Sequence, residues 1–438
     1  MRFSPRIFLK PLFKADDLCV IYAEHRLFLL PRKGVFMHFL TSLAVICLSA
    51  LLLGSICSKI KLPPLLGMLI IGIVLGPYVL DLISPSILGI SADLRELALI
   101  IILTRAGLNL NLKDLKKNGI SAVLLCFLPA TAEILGYVLL GSLILRLPVL
   151  DSAILGSVMA AVSPAVVVPR MLKLKETGYG TDKGIPDMIM TGASADDVFV
   201  IVLFTSLTAM STGGTFSWNI VWQVPVSIIL GIGAGIAIGL LFVLFVKRFH
   251  IRDSIKVILI LSIAFLFVAL ENAIEEWVPY SGLLSVISFG AVVFAKHEVC
   301  AKRLSGKFSK LWVFAEILLF VLVGAEVNIG YALNNCGIII CVIILALMFR
   351  MAGVFLCVAF SKLNMKERLF CMIVYSPKAT VQAAIGAVPL AMGLACGQIV
   401  LTAAVLAILI TAPVGAFLSD LTYKKLLTKT TVSDGVPC

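Results

Sequence analysis

Charge is what this sequence has least of. Of its 438 residues only 14% are Asp, Glu, Lys or Arg, against 61% hydrophobic. A soluble domain could not hide that much apolar side chain without exposing large patches. A water-soluble globular protein is therefore excluded. Histidine is scarcer still. The four (His25, His38, His250 and His297) lie in the N-terminal stretch or near helix ends. No haem or metal cage can be assembled from them inside a membrane. The 11 cysteines are scattered, mostly in apolar blocks such as those around Cys47, Cys126, Cys341, Cys357 and Cys371, with no C-x-x-C pair. They read as small hydrophobes, not as a disulfide framework. The net charge of +12 would suggest nucleic acid in a soluble protein. Here Lys and Arg sit in short loops and leave no basic face, so nucleic-acid binding is discounted.

The hydrophobic residues fall into blocks of about 20, the length that crosses a bilayer as helix. About thirteen spans can be drawn: 38–57, 65–83, 96–112, 119–145, 150–170, 186–211, 219–246, 255–272, 280–296, 311–329, 336–360, 368–393 and 398–419. The expected fold class is thus an all-α polytopic membrane protein. Alternate loops carry the positive charge: Lys113/Lys116/Lys117, Arg170/Lys173/Lys175/Lys183, Lys247/Arg248/Arg252/Lys256, Lys296 to Lys310, Lys362/Lys366/Arg368, and Lys424/Lys425/Lys429. Opposite loops carry almost none, and one holds Glu271, Glu275 and Glu276. By the positive-inside rule the C-terminus is cytoplasmic and the protein sits in the inner (plasma) membrane. Residues 1–36 contradict the scheme, with seven Lys or Arg on a side that should have few. An interfacial basic helix, a weak extra span, or a mis-called start with Met37 as initiator would each explain them. The last is favoured, because Met37-His38-Phe39-Leu40 runs straight into the first span.

The two halves resemble each other at an offset of about 215 residues. Pro64-x-x-Gly67 recurs as Pro279-x-x-Gly282, Ala106 and Asn109 as Ala325 and Asn328, and Ser163-Pro164 as Ser376-Pro377. Two six-span copies joined by one connecting span are inverted relative to each other, an arrangement found in secondary transporters. Pro164 and Pro377 should unwind their helices within the membrane. Unwound backbone at that depth persists only where it lines a cavity or a site.

Few titratable residues lie well inside spans: Arg105, Glu133, Asp196, Asp197, Glu316, Glu326, Arg350 and Lys378. Each costs on the order of 3 kcal/mol at mid-membrane and needs a partner or a purpose. Arg105, Glu316 and Glu326 are open to a structural role through snorkelling or the interface. Asp196 and Asp197 sit in the small-residue stretch Gly192-Ala193-Ser194-Ala195. Adjacent helical residues point about 100° apart, so the two acids cannot face one ligand squarely. That argues against a protease-like carboxyl dyad. It suits one carboxylate on an ion and one beside it. Proton and hard cation then compete for the same oxygens, which is what coupled antiport requires. The repeat equivalent of Asp197 falls near Pro413, so one ion site is expected. Glu133 and Arg350 occupy equivalent repeat positions, and a structural salt bridge is their natural pairing. Lys378 follows Pro377 in the unwound stretch, where it could compensate the half-helix ends.

The segments Val162-Ser163-Pro164-Ala165-Val166-Val167-Val168-Pro169, Gly178-Tyr179-Gly180 with Lys183-Gly184, Ala193-Ser194-Ala195-Asp196-Asp197, and Pro377-Lys378-Ala379-Thr380-Val381-Gln382-Ala383-Ala384 resemble the monovalent cation:proton antiporter superfamily, and most of all its NHA (sodium/hydrogen exchanger-like) branch. The resemblance runs from about residue 40 to 420. It implies a secondary active transporter exchanging Na⁺ or Li⁺ for H⁺, without a cofactor and not an enzyme. It implies a homodimer with elevator-like alternating access. Within the transmembrane domain 37–420, a dimerisation part (about 38–83 and 219–296) would flank a mobile core (about 96–211 and 311–419), with a cytoplasmic tail at 421–438. Asp197 matches the principal cation- and proton-binding acid and Asp196 its neighbour. Ser163, Pro164, Ser194, Pro377 and Lys378 would line the ion site, with Glu133 and Arg350 as a buried ion pair. Many relatives carry an acid where this chain has Ser163. Others have a lysine where it has Arg350, which cannot release a proton, so the resemblance does not fix whether transport moves net charge. A sodium-coupled organic-solute symporter or a cation channel on the same scaffold are the competing readings.

Overall fold

The computed structural model describes residues 38–110, 119–212, 218–249, 251–274 and 277–429. The basic segment 1–36, the loop of Lys113, Lys116 and Lys117, Glu275, Glu276, His250 and the tail beyond residue 429 lie outside the described residues. The regular secondary structure of the described residues is helical, with an isolated bridge between Tyr179 and Lys429.

The first helices are α1 (Phe39–Lys59), α2 (Pro64–Leu75), α3 (Pro85–Gly89) and α4 (Ser91–Gly107). Then come α5 (Gly119–Leu125), α6 (Leu128–Leu143), α7 (Val149–Met159), α8 (Pro164–Thr177), α9 (Ile185–Thr212) and α10 (Trp218–Arg248). The second half holds α11 (Asp253–Ile274), α12 (Gly282–Lys296), α13 (Glu298–Ala325) and α14 (Ile329–Ala359). It ends with α15 (Met365–Val374), α16 (Thr380–Ile385), α17 (Val388–Ala391) and α18 (Gly397–Leu426). Among the described residues nine helical stretches are long and apolar enough to cross a membrane, counting α5 with α6 and α7 with α8 as one stretch each. The other four segments drawn from sequence, at 65–83, 96–112, 280–296 and 368–393, contain helices among their described residues, but these are shorter, more charged or broken.

Two of these helices are interrupted. Backbone is non-helical at 160–163, between α7 and α8, and again at 376–379, before α16. In the most apolar 18 residues of Val149–Thr177, 72% are buried, whereas in those of Phe39–Lys59 only 22% are. The interrupted helix therefore runs through the middle of the molecule, and α1 shows most of its surface to the surroundings.

Two close helix crossings hold the halves together. A Cβ on Gly72 of α2 would lie 2.1 Å from Val321 O of α13, and one on Gly324 would lie 2.4 Å from Leu69 O. In the same way a Cβ on Gly107 of α4 would lie 2.5 Å from Ile287 O of α12, and one on Gly290 would lie 2.7 Å from the Gly107 carbonyl carbon. Small residues let backbones touch in this way, and dispersion then holds the pair. Gly324→Val should lower stability by about 1–3 kcal/mol through overpacking. Gly306 gives the opposite sign, because it is exposed on α13 and an added methyl would meet nothing within 4 Å. Gly306→Ala should add about 0.5–1 kcal/mol. Thermal unfolding in detergent checks both.

Candidate functional site

Gly178, Gly180 and Gly184 take positive φ of 77°, 66° and 64°, a conformation glycine adopts freely. They turn the chain from α8 into α9, the helix that carries Asp196 and Asp197. The turn is pinned by Lys183, whose Nζ donates to both carboxylate oxygens of the buried Glu367 at 2.8 and 2.9 Å. Further along α9, Gly192 makes room for a neighbour. A Cβ there would lie 2.6 Å from Tyr375 Oη, and that hydroxyl donates to Leu125 O at 3.1 Å.

The two breaks meet at the aspartates. Ser163 N, in the first break, donates to Pro377 O in the second at 2.9 Å. Pro164 begins α8, and the Pro377 ring seats against Gly415 of α18, where a Cβ would lie 2.4 Å from Pro377 Cγ. Lys378 N donates to Thr411 Oγ1 at 2.8 Å. Gln382 Nε2 donates to Ala161 O at 2.9 Å. Backbone groups freed by the breaks are thus taken up by the opposite break or by side chains, as a low-dielectric interior demands.

Arg350 of α14 stands at the centre, 1% exposed. Its Nε donates to Tyr375 O at 2.6 Å. Its Nη1 donates to Glu133 Oε2 at 2.9 Å and also to Ala160 O. Its Nη2 donates to Asp196 Oδ2 at 2.9 Å. Asp196 Oδ2 also accepts from Val162 N at 2.8 Å. Lys378 Nζ donates to Glu133 Oε2. Its ammonium goes to a carboxylate, and the half-helix ends that the sequence suggested for it are met by backbone and side-chain hydrogen bonds.

Glu133 and Asp196 therefore belong to one network through Arg350, and Asp197 stands outside it. Asp197 is buried, none of the described side chains donates to it, and its Oδ1 has no hydrogen-bond partner among the described residues. Asp196 Oδ1, Ser163 Oγ, Thr380 Oγ1 and Gln382 Oε1 are likewise buried and without a partner. These unsatisfied atoms are all oxygens, the donor type that a hard monovalent cation takes. Nothing is described of the Ser194 side chain, though its backbone lies in α9 two residues before Asp196. The residues that sequence reasoning missed are Val162, Thr380, Gln382 and Thr411. They are uncharged and their partners lie far away in the chain. Val162, Thr380 and Gln382 fall in the family-like runs, but nothing in those runs assigned them a role. Of the three acids and bases left open, Glu326 accepts from Ser91 Oγ at 2.9 Å and from Arg95, while Arg105 and Glu316 interact with each other.

A cavity of about 600 Å³ opens among α4, α9, α11, α12 and α16, lined in part by Arg95, Glu96, Phe204, Glu271, Trp277 and Ile385. Phe204 lies on the same helix as Asp197, about two turns further on.

This is the architecture of a multi-pass membrane transporter, with broken helices crossing at a buried carboxylate. The chain matches the family described as "Sodium/hydrogen exchanger, transmembrane" over residues 46–420. It is 36% identical to mouse sodium/hydrogen exchanger 9B2 over 384 residues, covering 84% of this chain and 69% of that protein. It is 33% identical to human sodium/hydrogen exchanger 9B1 over 413 residues, covering 89% and 78%. The structure of the sodium proton antiporter MjNhaP1 from Methanocaldococcus jannaschii superposes with a TM-score of 0.76 at 20% identity, over 89% of this chain and 99% of that one, a likeness of fold. The chain belongs to the sodium/hydrogen exchanger family, within the monovalent cation:proton antiporter superfamily, and is a transporter rather than an enzyme.

Removing the charge of Glu133 leaves Lys378 and Arg350 with one carboxylate between them. Glu133→Gln should cost about 3–5 kcal/mol of stability, as breaking buried pairs does. It should lower the unfolding temperature in detergent more than it weakens cation binding. The reverse order would make Glu133 a ligand.

Proposed function

We propose that the protein exchanges Na⁺ or Li⁺ for H⁺ across the membrane, with Asp197 carrying cation and proton in turn. The observation that carries this reading is a charge count. In the buried network Arg350 and Lys378 face Glu133 and Asp196, two positive against two negative. Asp197 is the acid left over, with no cation among the described residues donating to it. A lone carboxylate in an apolar interior must be neutralised. A proton on its oxygen or a cation beside it does so, and the two exclude each other. Asp196 plays the supporting part, since one of its oxygens is committed to Arg350 and Val162. Ser163, Pro164, Ser194, Pro377 and Lys378 line the site, with Glu133 and Arg350 as its structural ion pair.

Alternating access by an elevator-like movement of a core (about 96–211 and 311–419) against a dimerisation part (about 38–83 and 219–296) fits this reading, as does a homodimer. An inverted repeat of about thirteen spans is supported by the two glycine crossings. Gly72 meets Gly324 and Gly290 meets Gly107, so the repeat operation exchanges one contact with the other at an offset of about 217 residues, the same separation that divides Glu133 from Arg350. The loop charges support a plasma-membrane protein with a cytoplasmic C-terminus.

Reconstitution into proteoliposomes with an imposed pH gradient tests the function. Na⁺, Li⁺ or K⁺ should collapse the gradient in the wild type, and Asp197→Asn should abolish the response. Full activity in that variant would remove Asp197 from the site. No response of the wild type to any monovalent cation would remove the exchanger reading.

A further inference from the structure

A second row of buried oxygens leads away from the Arg350 network, along the seam between α6 and α7. Glu133 and Tyr137 are one turn apart on the same face of α6 and fully buried. Glu133 Oε1 and Tyr137 Oη each lack a hydrogen-bond partner. One turn further is Gly141, where a Cβ would lie 2.6 Å from Ser152 Oγ of α7. Gly156, a turn along α7 from Ser152, would place a Cβ 2.9 Å from Tyr137 Cβ. Tyr137 and Ser152 therefore share one seam. Ser152 is also fully buried, and its hydroxyl is also unpartnered. Beside it, partly exposed at the start of α7, is Asp151.

An unpaired buried hydroxyl is costly, so several in one seam are not a neutral accident of packing. Polar groups grouped like this are satisfied by bridging water. The row spans about 12 Å from Glu133 to Gly141, which covers the distance from the buried network towards the end of α6. The 600 Å³ cavity takes none of its lining from α6 or α7. The row is separate from that cavity.

We propose that the α6–α7 seam is a proton path, in which water bridges Tyr137 and Ser152 and connects Glu133 and Lys378 with the face where α6 ends and α7 begins. The charged groups facing Glu133 are Arg350 and Lys378, and Asp151 stands at the far end of the row. Each hop forms one O–H bond and breaks another, so the hydroxyls pass a proton with no net change.

The proposal rests on the exchanger reading, and paired fluxes separate the two. Cation-driven proton movement and isotopic Na⁺/Na⁺ exchange without a pH gradient are measured in the same proteoliposomes. Tyr137→Phe keeps the ring and removes the hydroxyl, and Ser152→Ala makes the same deletion at the next step. Each should slow proton movement several-fold while Na⁺/Na⁺ exchange keeps its rate and its KM. Proton movement at the wild-type rate in both variants would overturn the path and leave the exchanger standing. An equal fall in both fluxes would also overturn it, by showing a packing defect. A wild type that moves neither ion removes the exchanger reading and the path with it.

Discussion

The site depends on one guanidinium. A charge buried as deeply as Arg350 costs several kcal/mol unless it is paired and hydrogen-bonded, and here every guanidinium nitrogen is engaged. The partners come from four places: Glu133 on α6, Asp196 on α9, Ala160 in the first break and Tyr375 at the edge of the second. A planar fork of fixed geometry can tie four elements in one plane, as a lysine's point charge could not. A single side chain from a continuous helix therefore ties both breaks to the two acids.

That arrangement gives the adjacent aspartates different chemistry. Asp196 faces Arg350 and loses one oxygen to it, together with the Val162 amide. Asp197, turned about 100° away around the helix, is kept from pairing by geometry alone. The network cancels its own charge and so leaves a single uncompensated acid, while buried oxygens of Ser163, Thr380 and Gln382 also stand without a partner. Selection between proton and cation is then a matter of which one supplies the missing positive charge.

Much of this was legible in the sequence, for physical reasons. Apolar runs of bilayer length mark spans because backbone in lipid must satisfy itself. Glu133, Asp196, Asp197, Arg350 and Lys378 stand out because charge in such runs is costly. The prolines were a less certain guide. Pro164 and Pro377 adjoin breaks, but Pro169 and Pro413 lie inside continuous helices. Moreover, the first break lies before Pro164, which opens α8 at a position where its missing N–H is no loss. The partners of Lys378, and the carbonyls held by Arg350, were not legible. They lie between 25 and 245 residues away and are chosen by the packing of α6, α14 and the two breaks, which no local pattern encodes.

The central claim is that one carboxylate, Asp197, holds either a proton or a cation. Calorimetric titration of the purified protein with NaCl, in buffers of different ionisation enthalpy, tests it most directly. The account predicts a binding heat that changes with the buffer, because each Na⁺ displaces a proton, and no binding heat in Asp197→Asn. Na⁺ binding whose heat is the same in every buffer would contradict it.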